Sequence, residues 1–203
     1  SLVRAGIDRR SISIIVMLKE SAPQDEEALI LRQIVFERLN TGGIELEPEE
    51  TRNALFSGMF NELLLDLSRH RLMRRAWGLP EFQKDELTTG DPKLVDTPFF
   101  QKMEDAELVL RFFALRHAAH YTRGMQGFLD LYMMRASKFD GDVVDALREE
   151  FLTTIEIAGE VYGEVLFCPY DIKLNDWSNR PQKAFFDAVM VAISNNLTIR
   201  DKI

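Results

Sequence analysis

The chain has 203 residues, 46% apolar and 29% charged, enough for one folded domain, alone or with a helical annex, and a substantial core. Its 33 acidic against 25 basic residues leave a formal charge of −8, which excludes a surface basic throughout and confines any nucleic-acid contact to a local patch. Apolar stretches are interrupted, by Arg111 and Asp187 among others, short of the roughly 20 residues of a membrane helix, and the single cysteine, Cys168, excludes an internal disulfide and a cysteine-based zinc site.

The opening residues, Ser1-Leu2-Val3-Arg4, carry neither an initiator methionine nor a signal pattern, so the expectation is a cytoplasmic chain and a piece of something longer. Ser11 to Leu18 alternates and then becomes a β-branched run, which predicts a strand. After the turn Ser21-Ala22-Pro23-Gln24-Asp25, the segment to Leu39 places Leu29, Ile30, Gln33, Val35, Phe36 and Leu39 at helical spacing, and Asn40-Thr41-Gly42-Gly43 ends that helix. A second helix starts at Pro48, with Glu47, Glu49 and Glu50 suited to its positive end, and its stripe of Leu55, Met59, Phe60, Leu63, Leu64 and Leu67 predicts one helix reaching about Arg75.

Trp77 to Phe100 is broken by Gly78, Pro80, Gly90, Pro92 and Pro98 and reads as a long connection with one short turn. Beyond it the periodicity predicts helices over Met103–Tyr121, Gly124–Ala136, Asp142–Val165 and Pro181–Asn195. The expected fold is mainly α with a small β element near the N-terminus: an α+β fragment over residues 1–98 followed by a helical bundle over 99–203.

The most distinctive string is Phe36-Glu37-Arg38-Leu39-Asn40-Thr41-Gly42-Gly43, followed by Leu46, Glu50, Arg52 and Asn53. An apolar anchor, a cation, a carboxamide, a hydroxyl and two glycines are the parts of a polar-ligand site, and the glycine amides could form an anion-binding nest. The same letters also suit a plain capped turn between two helices.

This block resembles the Phe-x-x-x-Asn region of GmrSD-type restriction proteins, whose N-terminal domain belongs to the ParB and sulfiredoxin-like superfamily. Glu104 to Phe112 and the stretch Asn179, Ala184 to Ala188 are similar to later helices of that family. The resemblance implies part of a nucleotide-dependent, modification-sensing anti-phage restriction protein, in which nucleotide hydrolysis controls cleavage of modified DNA by an HNH-type nuclease domain.

On that resemblance Phe36 and Asn40 are the carried-over nucleotide-binding residues, with Arg38, Thr41, Gly42 and Gly43 beside them and Glu50, Arg52, Asn53, Glu107 and Arg111 in support. The cofactor it implies is a nucleoside triphosphate, with Mg, in the complete protein. The partners it implies are an upstream segment of the same domain, the nuclease domain and modified DNA; a second copy of the chain is the partner an interaction module would take. The family's Asp-Gly-Gln-Gln-Arg motif does not occur in these 203 residues, and neither does an HNH signature, so this chain alone is expected to hold no nucleotide tightly and to be inactive by itself.

Further groups invite a reading. Arg69, Arg71, Arg74 and Arg75 form the one concentrated basic patch, which suits either DNA contact or the C-terminal end of a helix. His117 and His120 are three apart on an expected helix, but no third and fourth ligand accompanies them at metal-binding spacing. Glu107 and Arg111 form an i,i+4 pair, a surface ion pair if exposed and a clasp between helices if turned inward. Trp177, in a polar stretch, is the aromatic residue to inspect for exposure, and Cys168 is expected to be a half-buried small hydrophobe. The alternative functions are a non-catalytic helical interaction module and a local DNA binder through Arg69 to Arg75.

Overall fold

A computed structural model describes residues 31, 35, 36, 46–84 and 86–197. The strand expected over Ser11–Leu18, most of the helix ending at Leu39, and the whole of Asn40–Gly43 lie outside the described residues. Leu31, Val35 and Phe36 are helical and half-buried.

Helix α1, Pro48–Leu55, begins with proline in its first turn, and the Glu47 backbone N–H donates to the Glu50 carboxylate at 2.8 Å. The continuous helix expected from Pro48 to about Arg75 is instead three helices. The first break falls at Phe56–Gly58, where Gly58 takes φ +141°, a conformation open to glycine alone, and α2 then runs Met59–Ser68. The second falls at Arg69–His70, where His70 caps α3, Arg71–Ala76, by accepting the Leu72 N–H. The apolar period continues across both breaks because all three helices face one core.

The connection after Trp77 carries three one-turn helices: α4 Glu86–Thr89, α5 Pro92–Val95 and α6 Pro98–Gln101. Asp91-Pro92 and Thr97-Pro98 are helix-start dipeptides, with Asp91 accepting the Lys93 N–H at 3.0 Å. The remaining helices are α7 Glu104–Leu115, α8 Gly124–Ala136, α9 Gly141–Tyr162 and α10 Lys183–Asn195. Asp140 caps α9 by accepting the Val143 N–H.

The β structure among the described residues is an antiparallel hairpin, β1 Tyr170–Asp171 and β2 Asp176–Trp177, between α9 and α10. It lies in a stretch that reads as loop by composition. Its turn is held by Asp171, whose carboxylate accepts the N–H groups of Lys173 and Leu174, and Tyr170 meets Trp177 edge-to-face across it. The molecule is thus mainly α with a small β element.

Helix α7 is the central strut. Ala106, Leu108, Val109, Leu110, Phe112, Phe113 and Ala114 are all buried, because α2, α8 and α10 pack against it, while α9 lies against α2 and α10. Phe112 and Phe113 meet Phe151 of α9, and Phe60 of α2 meets Phe113 and Phe139. Phe60 and Leu63 share this core with Phe112, Phe151 and Phe186. Gly159 lets α3 approach α9: a Cβ there would lie 2.6 Å from a methyl of Leu72.

Candidate functional site

Helix α1 is amphipathic in charge as well as in hydropathy, and the face turned to the bundle carries Glu49 and Arg52, one turn apart. Both are buried, at 2% and 1% exposure. The Arg52 guanidinium lies among carboxylates from three helices. Its Nη1 donates to Glu49 at 2.6 Å, its Nε donates to Asp130 of α8 at 2.7 Å, and Glu107 of α7 lies 3.7 Å from Nη1. A buried charge is tolerated only when paired and hydrogen-bonded in this way.

Glu107 links this cluster to a second one. Its other oxygen is 3.9 Å from Arg111, one turn further along α7, and 3.9 Å from Lys183 of α10. Arg111 donates from Nε and Nη2 to both carboxylate oxygens of Asp187 in α10, a two-point pairing, and Lys183 also meets Glu104 at 2.9 Å. Glu107 and Arg111 therefore turn inward as a clasp between helices, and the stronger partner of Arg111 is Asp187.

Burial pushes the Glu49 carboxyl up to about 7. Arg52 pulls it down, while Glu107 and Asp130 push the same way as burial. Burial would lower the Arg52 pKa, but Glu49 and Asp130 outweigh it and hold the guanidinium above its usual range. Arg111 is likewise held above its usual range, chiefly by its hydrogen bonds to Asp187.

The remaining support residues have local duties. Glu50 closes the first turn of α1, and Asn53 accepts from the Asn61 amide of α2 at 2.6 Å. Phe36 is half-buried on its helix, and Arg38, Asn40, Thr41, Gly42 and Gly43 lie outside the described residues. The structure thus brings together Arg52, Glu107 and Arg111, and adds Glu49, Asp130 and Asp187, which sequence reading did not place in the site. Glu49 was accessible in sequence as the residue one turn before Arg52. Nothing local marks Asp130 or Asp187 as its companions, since both reach the site only through tertiary packing.

The arginine string is divided: Arg71 and Arg75 are exposed, and Arg74 is buried. Arg74 is 1% exposed and donates to both Glu86 oxygens, at 2.9 and 3.1 Å, and to the Pro80 carbonyl. The second half of the string is a separate short helix, Arg71–Ala76, with Arg74 on its buried side. Arg71 donates to Glu156, Arg75 to Glu164, and Arg69 approaches Glu86 at 3.9 Å and lies over the Phe82 ring. Arg71 and Arg75 thus tie α3 to α9 and the turn after it. His70 joins them, its Nε2 at 3.3 Å from Glu156, and burial lowers its pKa.

His117 and His120 do not lie on α7, which ends at Leu115; a 3-10 turn follows over Ala118–His120. His117 stacks on Tyr132. Among the described residues no group of His, Cys, Asp and Glu side chains is arranged to hold a metal ion. Around Arg52 the guanidinium occupies the centre that a cation would need. Cys168 is buried, and burial pushes its thiol up. Trp177 is 39% exposed, with Tyr162 and Tyr170 each in a T-shaped contact with its ring.

No helix among the described residues is long and apolar enough to cross a membrane. No family model, curated protein or solved structure matches the chain.

Proposed function

We propose that this chain is part of a nucleotide-dependent, modification-sensing restriction protein that regulates an associated nuclease domain in cytoplasmic anti-phage defence. In this reading the Phe36–Gly43 block contacts the nucleoside triphosphate through Asn40, and α1 and the bundle hold that block in place. The observation that supports it is that Glu50, Arg52 and Asn53, the residues spaced after the block as in the family it resembles, each have a fixed duty at one end of the bundle. Glu50 caps α1, Arg52 anchors it in the carboxylate cluster, and Asn53 ties it to α2. An element used so fully for anchoring is suited to hold a ligand loop at a defined position.

The test is hydrogen-exchange protection of residues 36–43 in the presence of millimolar GTP, ATP or CTP. The reading expects protection with one of them and its loss in Asn40→Ala, with turnover by the chain alone slow or absent. No protection by any of the three, or protection unchanged in Asn40→Ala, overturns it. A second reading, a non-catalytic interaction module, is favoured by the hairpin, whose Ile172 and Leu174 are 86% and 75% exposed. Assembly that rises with protein concentration and needs no nucleotide is the outcome that reading expects.

A further inference from the structure

At the C-terminal end of α7 the chain reverses the sign of its charge. The connection from Arg116 to Arg123 holds these two arginines and two histidines, His117 and His120, and no acidic residue, in a protein with a formal charge of −8. Arg116, the residue that closes α7, is half-buried with its guanidinium over the Phe112 ring, and its Nη2 meets Glu150 of α9 at 2.6 Å. The same Glu150 oxygen accepts from the buried Ser194 hydroxyl of α10 at 2.6 Å. The other terminal nitrogen of Arg116, Nη1, is buried and has no hydrogen-bond partner among the described residues. An unmade donor on a cation is costly in such a place, so Nη1 calls for an acceptor.

Two more donors belong to this end. His117 is exposed and stacks on Tyr132 of α8, with 5.9 Å between ring centroids. Burial pushes the Tyr132 hydroxyl up to about 12, with Arg116 pulling it down and Glu150 pushing it up, so it keeps its proton and can donate at neutral pH. Burial lowers the His117 pKa, and Arg116 and His120 add to that, whereas an anion beside the ring favours its charged form.

We propose that Arg116, His117 and Tyr132 form a site for one oxyanion, a phosphate or carboxylate group, whose oxygens accept from Arg116 Nη1, the Tyr132 hydroxyl and the His117 ring. The groups without a protein acceptor are donors, which suits an oxyanion and not a metal cation. Glu150 acts as a positioning partner: its oxygen is taken up by Nη2 and by Ser194, which fixes the guanidinium and leaves Nη1 for the ligand. Because Glu150 also offsets the charge of Arg116, binding is weak and draws on His117 for the matching charge. This inference does not rest on the nucleotide reading, and its readouts are at residues other than 36–43.

The experiment is titration of the whole chain at neutral pH with inorganic phosphate in one arm, acetate in a second and sodium chloride in a third, followed by NMR of the His117 ring and the Arg116 guanidinium. Saturable shifts at both residues are expected with phosphate or acetate at millimolar concentration, phosphate marking a phosphoryl ligand and acetate a carboxylate. Affinity is expected to fall about fivefold to tenfold in Tyr132→Phe and in His117→Ala, each of which removes one donor. No saturable shift with either oxyanion, equal shifts with sodium chloride, or an affinity unchanged in either folded variant overturns the site. His117 is exposed, so His117→Ala keeps the test open if Tyr132→Phe fails to fold.

Discussion

Arg74 and Arg75 are adjacent in sequence and opposite in consequence. Arg74 is closed off from water with Glu86, and removing its guanidinium strips that buried carboxylate of a two-point pairing, with Arg69 3.9 Å away. Arg75 meets an almost fully exposed Glu164 at 3.4 Å, a pairing that solvent screens. Arg74→Ala is therefore expected to lower stability by about 3–5 kcal/mol, and Arg75→Ala by no more than about 0.5 kcal/mol, as read from urea midpoints. The letters Arg-Arg carry no sign of this difference. Helical phase decides it, and the phase was set by a helix start at His70 that composition did not reveal. The same holds for Arg111, where the i,i+4 carboxylate was visible in sequence and the closer partner, Asp187, was 76 positions away.

Helices α7 to α10 were legible from apolar residues at three- and four-residue spacing, joined by an acidic first turn in α7 and α9 and by the capping Asp140 of α9. The break at Gly58 was not, because the apolar stripe runs through it and a single glycine is compatible with a continuing helix. Its backbone conformation now carries a prediction. At φ +141° an L-residue is strained whatever space surrounds it, so Gly58→Ala is expected to cost about 1–3 kcal/mol. Gly141 also has open space where a Cβ would stand, but opens α9 in an ordinary conformation, and Gly141→Ala is expected to be neutral or mildly stabilising. Thermal or urea unfolding of the two variants separates backbone strain from a general effect of added bulk. The hairpin at Tyr170–Trp177 was hidden because its strands are two residues long, too short for alternation to register.

At the scale of the molecule, fold class was readable and the organisation of charge was not. Composition and period distinguish helix from strand, but which carboxylates converge on which cation is fixed only when α1, α7, α8 and α10 pack, and this is why the candidate site was half legible. Arg52, Glu107 and Arg111 carried a sequence signal; Glu49, Asp130 and Asp187 completed the site from helices that tertiary structure brings together.

The central claim is that α1, with the residues that follow the Phe36–Gly43 block, is fastened to the bundle through Arg52 and Asp130. A double-mutant cycle on these two residues, with Arg52→Ala, Asp130→Ala and both changes measured by equilibrium unfolding of the whole chain, tests it most directly. A coupling of about 1–3 kcal/mol is expected, with the double variant less damaged than the sum of the single ones. Additive effects, with a coupling near zero, would contradict it.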